Sequence, residues 1–133
     1  MLTYLDSVIV IDLLDHLGHF QVRAANWIAT ASAAREFLAV SDLSRFECRV
    51  GPVRSSDLQR LADFDGFFVQ PDVRLVPLPG AVFDRATVIR ADDRFKIADS
   101  IHLAAAIESK CDRFLTNDLR LSRFPDITVE ILP

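Results

Sequence analysis

The chain opens with Leu2-Thr3-Tyr4-Leu5-Asp6-Ser7-Val8-Ile9-Val10-Ile11. Leu2–Leu5 reads as a short strand, Asp6 follows it directly, and Ser7–Leu17 reads as a helix ending near Gly18. The same alternation of apolar run and helix-period segment continues along the chain. Phe20, Ala24, Trp27 and Ala31 fall at helical spacing and predict a helix over Phe20–Ala31, with Trp27 in the core. Phe37–Val40 is the second expected strand. Ser41 or Asp42 can cap a helix that runs to about Val50, where Gly51-Pro52 breaks it. Leu58, Leu61, Ala62 and Phe68 mark a helix over Ser55–Phe68, and Val73–Val76 is a strand fenced by Pro71, Pro77 and Pro79. Helices are expected over Ala81–Ala91 and Ile97–Ser109, then strands at Arg113–Leu115 and Thr128–Leu132. Strands separated by helices imply right-handed crossovers and a mainly parallel sheet of about five strands covered on both faces, an α/β fold of three α/β/α layers. Ligands of such sheets sit beyond the carboxyl ends of the strands.

The 133 residues are 50% hydrophobic and 26% charged, which predicts one domain over residues 1–133 and excludes a disordered chain. Cys48 and Cys111 are too few for a disulfide framework or a four-ligand metal knot and read as buried free thiols in a reducing compartment. No segment approaches the ~20 apolar residues that span a bilayer, and the first residues lack the basic region of a signal peptide. A cytoplasmic protein without a membrane partner is expected. The formal charge is −4, from 19 acidic and 15 basic side chains. That balance is opposite to the basic surplus usual where nucleic acid is held by phosphate neutralisation.

The strand-end rule selects among the acids. Asp6 directly follows the first strand, and Asp118 follows the fourth after Thr116-Asn117, so both belong on one edge of the sheet. Glu47 shares a helix face with Leu43, Ser44, Val50 and Gly51, whereas Arg45 and Arg49 lie on nearly the opposite face and are not expected to pair with it. Asp99 opens a helix in which only Asp99, Ser100 and His102 are polar over Ile97–Ile107, so the helix is expected to be buried and the carboxylate to need a partner. Singly, each acid has a structural explanation. Asp6 and Asp118 can cap helices, Asp99 gains from a helix dipole, and Glu47 can be a half-exposed helix residue. Together, four acids on one edge with no cation in sequence reach raise one another's pKa unless something positive binds. A hard divalent cation, Mg²⁺ or Mn²⁺, meets that need. His102 reads as a packed core histidine, with support of the ligands as the alternative; His16 and His19 carry no ligand spacing. Asp12, Asp15, Asp57, Asp63, Asp65, Asp92 and Asp93 read as solvated or capping, and Asp112 precedes its strand and so lies at the wrong end.

Four blocks resemble the motifs of the PIN-domain ribonucleases, and within them the VapC toxins of bacterial toxin–antitoxin pairs. Tyr4-Leu5-Asp6-Ser7-Val8-Ile9-Val10-Ile11 is similar to the family's first motif, an Asp at a strand end followed by Ser or Thr. The segment Ser41-Asp42-Leu43-Ser44-Arg45-Phe46-Glu47-Cys48-Arg49-Val50-Gly51-Pro52 resembles the one bearing the family's Glu. Ala98-Asp99-Ser100-Ile101-His102-Leu103-Ala104-Ala105-Ala106 resembles the most recognisable block, and Phe114-Leu115-Thr116-Asn117-Asp118 the last. The blocks stand in family order and span nearly the whole chain. Val8 departs from the small or polar residue often found after the Ser, which leaves Ser7 alone to support the metal there.

The resemblance implies a PIN-like fold and a Mg²⁺-dependent endoribonuclease, Mn²⁺ substituting, whose products carry 5′-phosphate and 3′-hydroxyl ends. It makes Asp6 and Asp99 the first choices for direct metal ligands, with Glu47 and Asp118 completing the acidic pocket and Ser7, Thr116 and Asn117 in support. It also implies three partners: an RNA substrate, an antitoxin whose tail lies in a hydrophobic groove, and a second copy in a homodimer. The apolar helices around Phe20–Trp27 and Leu58–Phe68 are candidates for the groove, with intramolecular core as the alternative. Only Lys96 and Lys110 of the 15 basic residues are Lys, and Arg suits bidentate phosphate contact. Arg94 and Lys96, just before Asp99, are the best placed to touch phosphate. A phospho-accepting receiver domain needs an additional acidic pair and a late Lys; the first strand ends in a single Asp6, and no Lys follows the fourth strand. A catalytically inactive PIN-like module that binds protein or RNA is the remaining alternative, against which the intact acids argue.

Overall fold

Strand β1 (Leu2–Leu5) lies at the centre of the sheet in the computed structural model, which describes residues 1–14 and 19–133. With β2 (Phe37–Ser41), β3 (Val73–Val76), β4 (Arg113–Thr116) and β5 (Thr128–Ile131) it forms five parallel strands in the order β3-β2-β1-β4-β5. Tyr4 pairs with Ala39 on one side and Phe114 on the other. Helices α1 (Ser7–Leu14) and α2 (His19–Ala33) precede β2, and α3 (Asp42–Ser55) and α4 (Leu58–Phe68) precede β3. Helices α5 (Gly80–Asp93) and α6 (Ile97–Glu108) precede β4, and a short 3₁₀ helix over Leu119–Arg123 leads to β5.

Side chains alternate along each strand, so the sheet feeds two cores. Tyr4, Ala39 and Phe114 pack with Val82, Ile89 and Leu103 of α5 and α6. Leu5, Leu38, Val40 and Leu115 pack with Ile9, Cys48, Phe64 and Phe67 of the α1–α4 layer. The arrangement is the expected α/β/α sandwich. Helix α6 is buried over His102–Ala106 without a polar break, as its composition requires. Trp27 is half-buried against the second core, where its Nε1 donates to Glu130 Oε1 at 3.0 Å and the Arg113 guanidinium lies 5.0 Å from its ring.

Most element ends fall within one or two residues of expectation, and two differences have a physical cause. Gly51-Pro52 does not break α3. Pro52 lies in its last turn, where the missing N–H forgoes one bond, and its ring is buried. The helix stops instead at Ser56, in the left-handed region at φ 56°, and the Asp57 amide closes onto the Pro52 carbonyl at 2.9 Å. Asp57 then caps α4 by accepting the Arg60 amide at 3.0 Å, so Ser55 belongs to α3 rather than α4. Asp92 and Asp93 sit in the last turn of α5, not in a loop. Acids there oppose the helix dipole, which is why the sequence points to an earlier end. The expected helix end near Gly18, with Asp15, His16 and the side chain of His19, lies outside the described residues.

Both cysteines are free thiols; Cys48 is buried as expected, Cys111 only half-buried, and burial pushes each up to about 12. Among the described residues no helix is long and apolar enough to cross a membrane. Phe114 is fully buried and stacks on Tyr4 with ring centroids 5.5 Å apart. Replacement Phe114→Ala is expected to destabilise the fold by about 3–5 kcal/mol. Urea unfolding checks this as a lower midpoint, and an unchanged midpoint would contradict the placement of this ring.

Candidate functional site

A cavity of about 520 Å³ opens at the carboxyl edge of the sheet. The chain moves outward from β1 to β3 and then returns to β4 on the other side of β1, so the ends of β1 and β4 flank the point where strand order reverses. Asp6, Glu47, Asp99 and Asp118 all line this cavity, with Ser7 and Asn117 beside them. A second cavity of about 530 Å³ lies at the opposite edge, beside Arg35, Phe37 and Asp72, away from the four acids.

Each acid arrives from a different element. Asp6 follows β1 and is buried, and its Oδ2 accepts the Thr116 hydroxyl at 2.7 Å. The same Thr116 oxygen accepts the Asp118 amide at 3.0 Å, so one hydroxyl at the end of β4 ties both strand-end acids together. Glu47 stands on α3, reached from Ser41, whose amide is held by Ser44 Oγ at 3.0 Å. Glu47 Oε1 accepts Ser7 Oγ at 2.8 Å and lies 2.5 Å from His102 Nε2. Asp99 sits half-buried in the first turn of α6. Asp118 caps the 3₁₀ helix by accepting the Arg120 amide at 3.0 Å. Its two oxygens are also gripped by the Arg120 guanidinium, at 2.6 Å for the shortest contact.

Charge divides the four acids into two pairs. Burial raises the Asp6 carboxyl above the usual range and the Glu47 charge adds to that, while His102 and the Thr116 bond oppose it. Burial likewise raises Asp99, and the charges of Asp6 and Asp118 raise it further. Burial would raise Glu47 as well, but the hydrogen bond and charge of His102 and the bond from Ser7 prevail, and its carboxyl lies below the usual range. Asp118 is lowered chiefly by its hydrogen bond from Arg120. Two acids therefore have internal partners, contrary to the expectation of no cation in sequence reach. Arg120 escaped notice because its grip on a residue two positions earlier depends on the 3₁₀ turn, which the sequence does not announce. His102 is both a core histidine and a partner of Glu47.

Other assignments also change. Asn117 Nδ2 donates to Asp12 Oδ2 at 2.8 Å rather than supporting Asp118, and this brings Asp12 beside the site instead of leaving it simply solvated. Lys96 and Arg120 line the cavity. Arg94 instead closes α5 in the left-handed region at φ 59°. Arg45 pairs with Asp42 and Arg49 with Asp65, both at 3.1 Å, so neither meets Glu47. Asp112 accepts the Leu2 amide at 2.7 Å at the opposite edge.

Among the described residues, no three His, Cys, Asp or Glu side chains stand close enough to make a closed metal cage. Mg²⁺ does not require one, since it keeps several waters and is commonly held by one or two carboxylates. Asp6 and Asp99 are hard oxygen donors whose negative charge the protein does not fully relieve, and they fit such an ion.

A family model described as PIN domain matches residues 3–127. No curated protein sequence matches the chain significantly. Several solved structures share the fold. VapBC2 from Rickettsia felis, bound to a DNA fragment from its promoter, is 15% identical with a TM-score of 0.82, and the alignment covers 100% of both chains. A toxin–antitoxin complex from Klebsiella pneumoniae is 18% identical with a TM-score of 0.73, covering 95% of each chain. VapC20 from Mycobacterium tuberculosis, a toxin that cleaves the sarcin–ricin loop, is 13% identical with a TM-score of 0.71, covering 95% of this chain and 98% of that one.

The charge on Asp99 has a consequence for stability. Its folded-state pKa lies above the unfolded value, so the stability present at low pH is lost as pH rises through the folded pKa. Asp99→Asn, which stays neutral, is expected to melt above the wild type at neutral pH in EDTA. The gap should close as pH falls below about 4, the ordinary Asp range. Thermal melts across pH check this, and a variant melting no higher than the wild type at neutral pH would refute it.

Proposed function

The chain belongs to the PIN domain family, and on that premise we propose that it is a Mg²⁺-dependent endoribonuclease serving as the toxin of a toxin–antitoxin pair. The observation that carries this reading is the convergence of Asp6 and Asp99, from β1 and α6, in one cavity where burial and neighbouring acidic charges raise both carboxyls. Asp6 and Asp99 hold the cation, and Glu47 and Asp118 complete the ring directly or through water. Bound there, a divalent ion supplies a water of lowered pKa and offsets charge on the scissile phosphate. The chain's own residues set the geometry: Thr116 orients Asp6, Ser7 and His102 anchor Glu47, and Arg120 anchors Asp118. Lys96, at the same cavity, offers a cation to substrate phosphate. No protein nucleophile is required.

An antitoxin is the proposed protein partner. A cavity of about 700 Å³ lies between α1, α2 and α4, walled by Leu13, Leu14, Ile28 and Phe67. Gln21, Asp63 and Gln70 stand among these apolar side chains, a mixed lining that supports the cavity as a candidate for the expected antitoxin groove. That a solved structure of like fold is a toxin–antitoxin complex supports an antitoxin as the partner. A homodimer and a cytoplasmic location complete the reading.

Incubation of the purified protein with structured RNA and Mg²⁺ tests it. Cleavage is expected to leave 5′-phosphate ends and to stop in EDTA. Asp6→Asn and Asp99→Asn should each slow it on the order of a hundredfold or more, the scale on which one charge-stabilising group acts. Undiminished cleavage by both variants would sink the assignment. Failure of the wild type to bind Mn²⁺ in calorimetry would favour a catalytically inactive module that binds RNA or protein.

A further inference from the structure

Behind the acidic cavity, a chain of buried polar side chains continues past the His102 anchor of Glu47 to groups with no task in the cleavage chemistry. Tyr4, on the central strand, is fully buried. Its hydroxyl lies 2.9 Å from Ser41 Oγ and 2.7 Å from His102 Nδ1. His102 is 1% exposed, and its other ring nitrogen, Nε2, lies 2.5 Å from Glu47 Oε1 and 3.2 Å from Ser7 Oγ. Ser7 Oγ donates to the same Glu47 oxygen. The path crosses from β1 to α6 and then to α3, joining elements far apart in sequence.

Elementary hydrogen-bond chemistry fixes one end of this path. An ionised carboxylate only accepts, so His102 Nε2 must carry the hydrogen that faces Glu47. The other ring nitrogen, Nδ1, meets the Tyr4 hydroxyl, which accepts from a protonated ring and donates to a neutral one. The Tyr4 hydroxyl also shares a hydrogen bond with Ser41 Oγ. Ser41, Tyr4, His102 and Glu47 thus form one continuous hydrogen-bonded series. The Tyr4 ring itself stacks on Phe114 and packs in the apolar core, which a Phe would serve as well. The hydroxyl is the one part of the side chain that apolar packing does not use.

We propose that Tyr4 is a positioning residue for Glu47, holding the His102 ring so that its Nε2–H anchors the carboxylate through Oε1 at the cavity. This rests on the reading of the cavity as a cation site. A glutamate has several rotatable bonds, and holding it beforehand removes an ordering penalty from cation binding. Hydrogen-bond partners standing behind metal ligands commonly tune affinity by 10–100-fold.

The test compares the full chain with Tyr4→Phe by Mn²⁺ calorimetry and RNA cleavage kinetics. Tyr4→Phe is expected to weaken Mn²⁺ binding by about tenfold. At a fixed subsaturating Mn²⁺ concentration kcat should fall, while KM for RNA stays near the wild-type value. In a Glu47→Gln background, the same change should add little further loss of Mn²⁺ affinity, because the two residues act as one unit. Unchanged Mn²⁺ affinity in folded Tyr4→Phe, or an equal loss with and without Glu47, overturns the proposal and leaves the hydroxyl a structural group. Should Tyr4→Phe fold poorly, His102→Gln and His102→Leu make the comparison. The Gln keeps a donor toward Glu47 and should retain more Mn²⁺ affinity than the Leu; equal losses overturn the proposal. No Mn²⁺ binding by the wild type overturns the cation site itself, and this inference with it.

Discussion

Mutual repulsion among carboxylates gathered at one end of a parallel sheet is the constraint around which this molecule is arranged. Parallel strands deliver every carboxyl end to the same edge, and the chain places Asp6 and Asp118 at two of those ends. Glu47 and Asp99 come to the same cavity from α3 and α6. Such a cluster needs partners, and the protein supplies them unevenly. Arg120 takes Asp118, and Ser7 with His102 takes Glu47. Thr116 gives Asp6 a single hydroxyl bond, and burial with the charges of Asp6 and Asp118 raises Asp99. The two cores on either side of the sheet hold the edge rigid enough for this imbalance to persist.

The overall charge of −4 takes on a different meaning in this setting. An acidic surplus argues against a protein that grips nucleic acid through phosphate neutralisation alone. Several acids here are tied into ion pairs or caps away from the cavity, such as Asp42, Asp65, Glu108 and Glu130. Net charge therefore says little about the local potential at the cavity, where Lys96 and Arg120 stand beside the four acids. On the proposed reading, the cation makes the acidic centre receptive to a phosphate, and Lys96 complements it.

The elements that were legible were those with strong local signals. Short apolar runs bounded by Pro or polar residues became strands, and α6 was recognisable by its lack of polar residues. Errors arose where a local signal was outweighed by packing. Pro52 normally ends a helix, yet its buried ring near a helix end makes the loss of one bond tolerable. Asp92 and Asp93 disfavour a helix C-terminus, yet α5 carries them. At the cavity, Asp6 and Asp118 are legible from their positions after strands, Glu47 from its helix face and Asp99 from the apolar helix it opens, but their partners are not. Asn117 turned to Asp12, and Arg120 to Asp118, through turn geometry that has no sequence period.

The sequence by itself determined the order of strands and helices and the edge at which the acids would meet. Those follow from local periodicity and from the rule that parallel strands point the same way. Only the tertiary structure decided which acids meet a partner inside the protein, Glu47 with His102 and Asp118 with Arg120. It also decided that Tyr4, two residues before Asp6, reaches Glu47 by way of His102. The reason is physical: a hydrogen bond depends on distances of a few tenths of an ångström between side chains 98 and 55 residues apart, and no spacing along the chain encodes that.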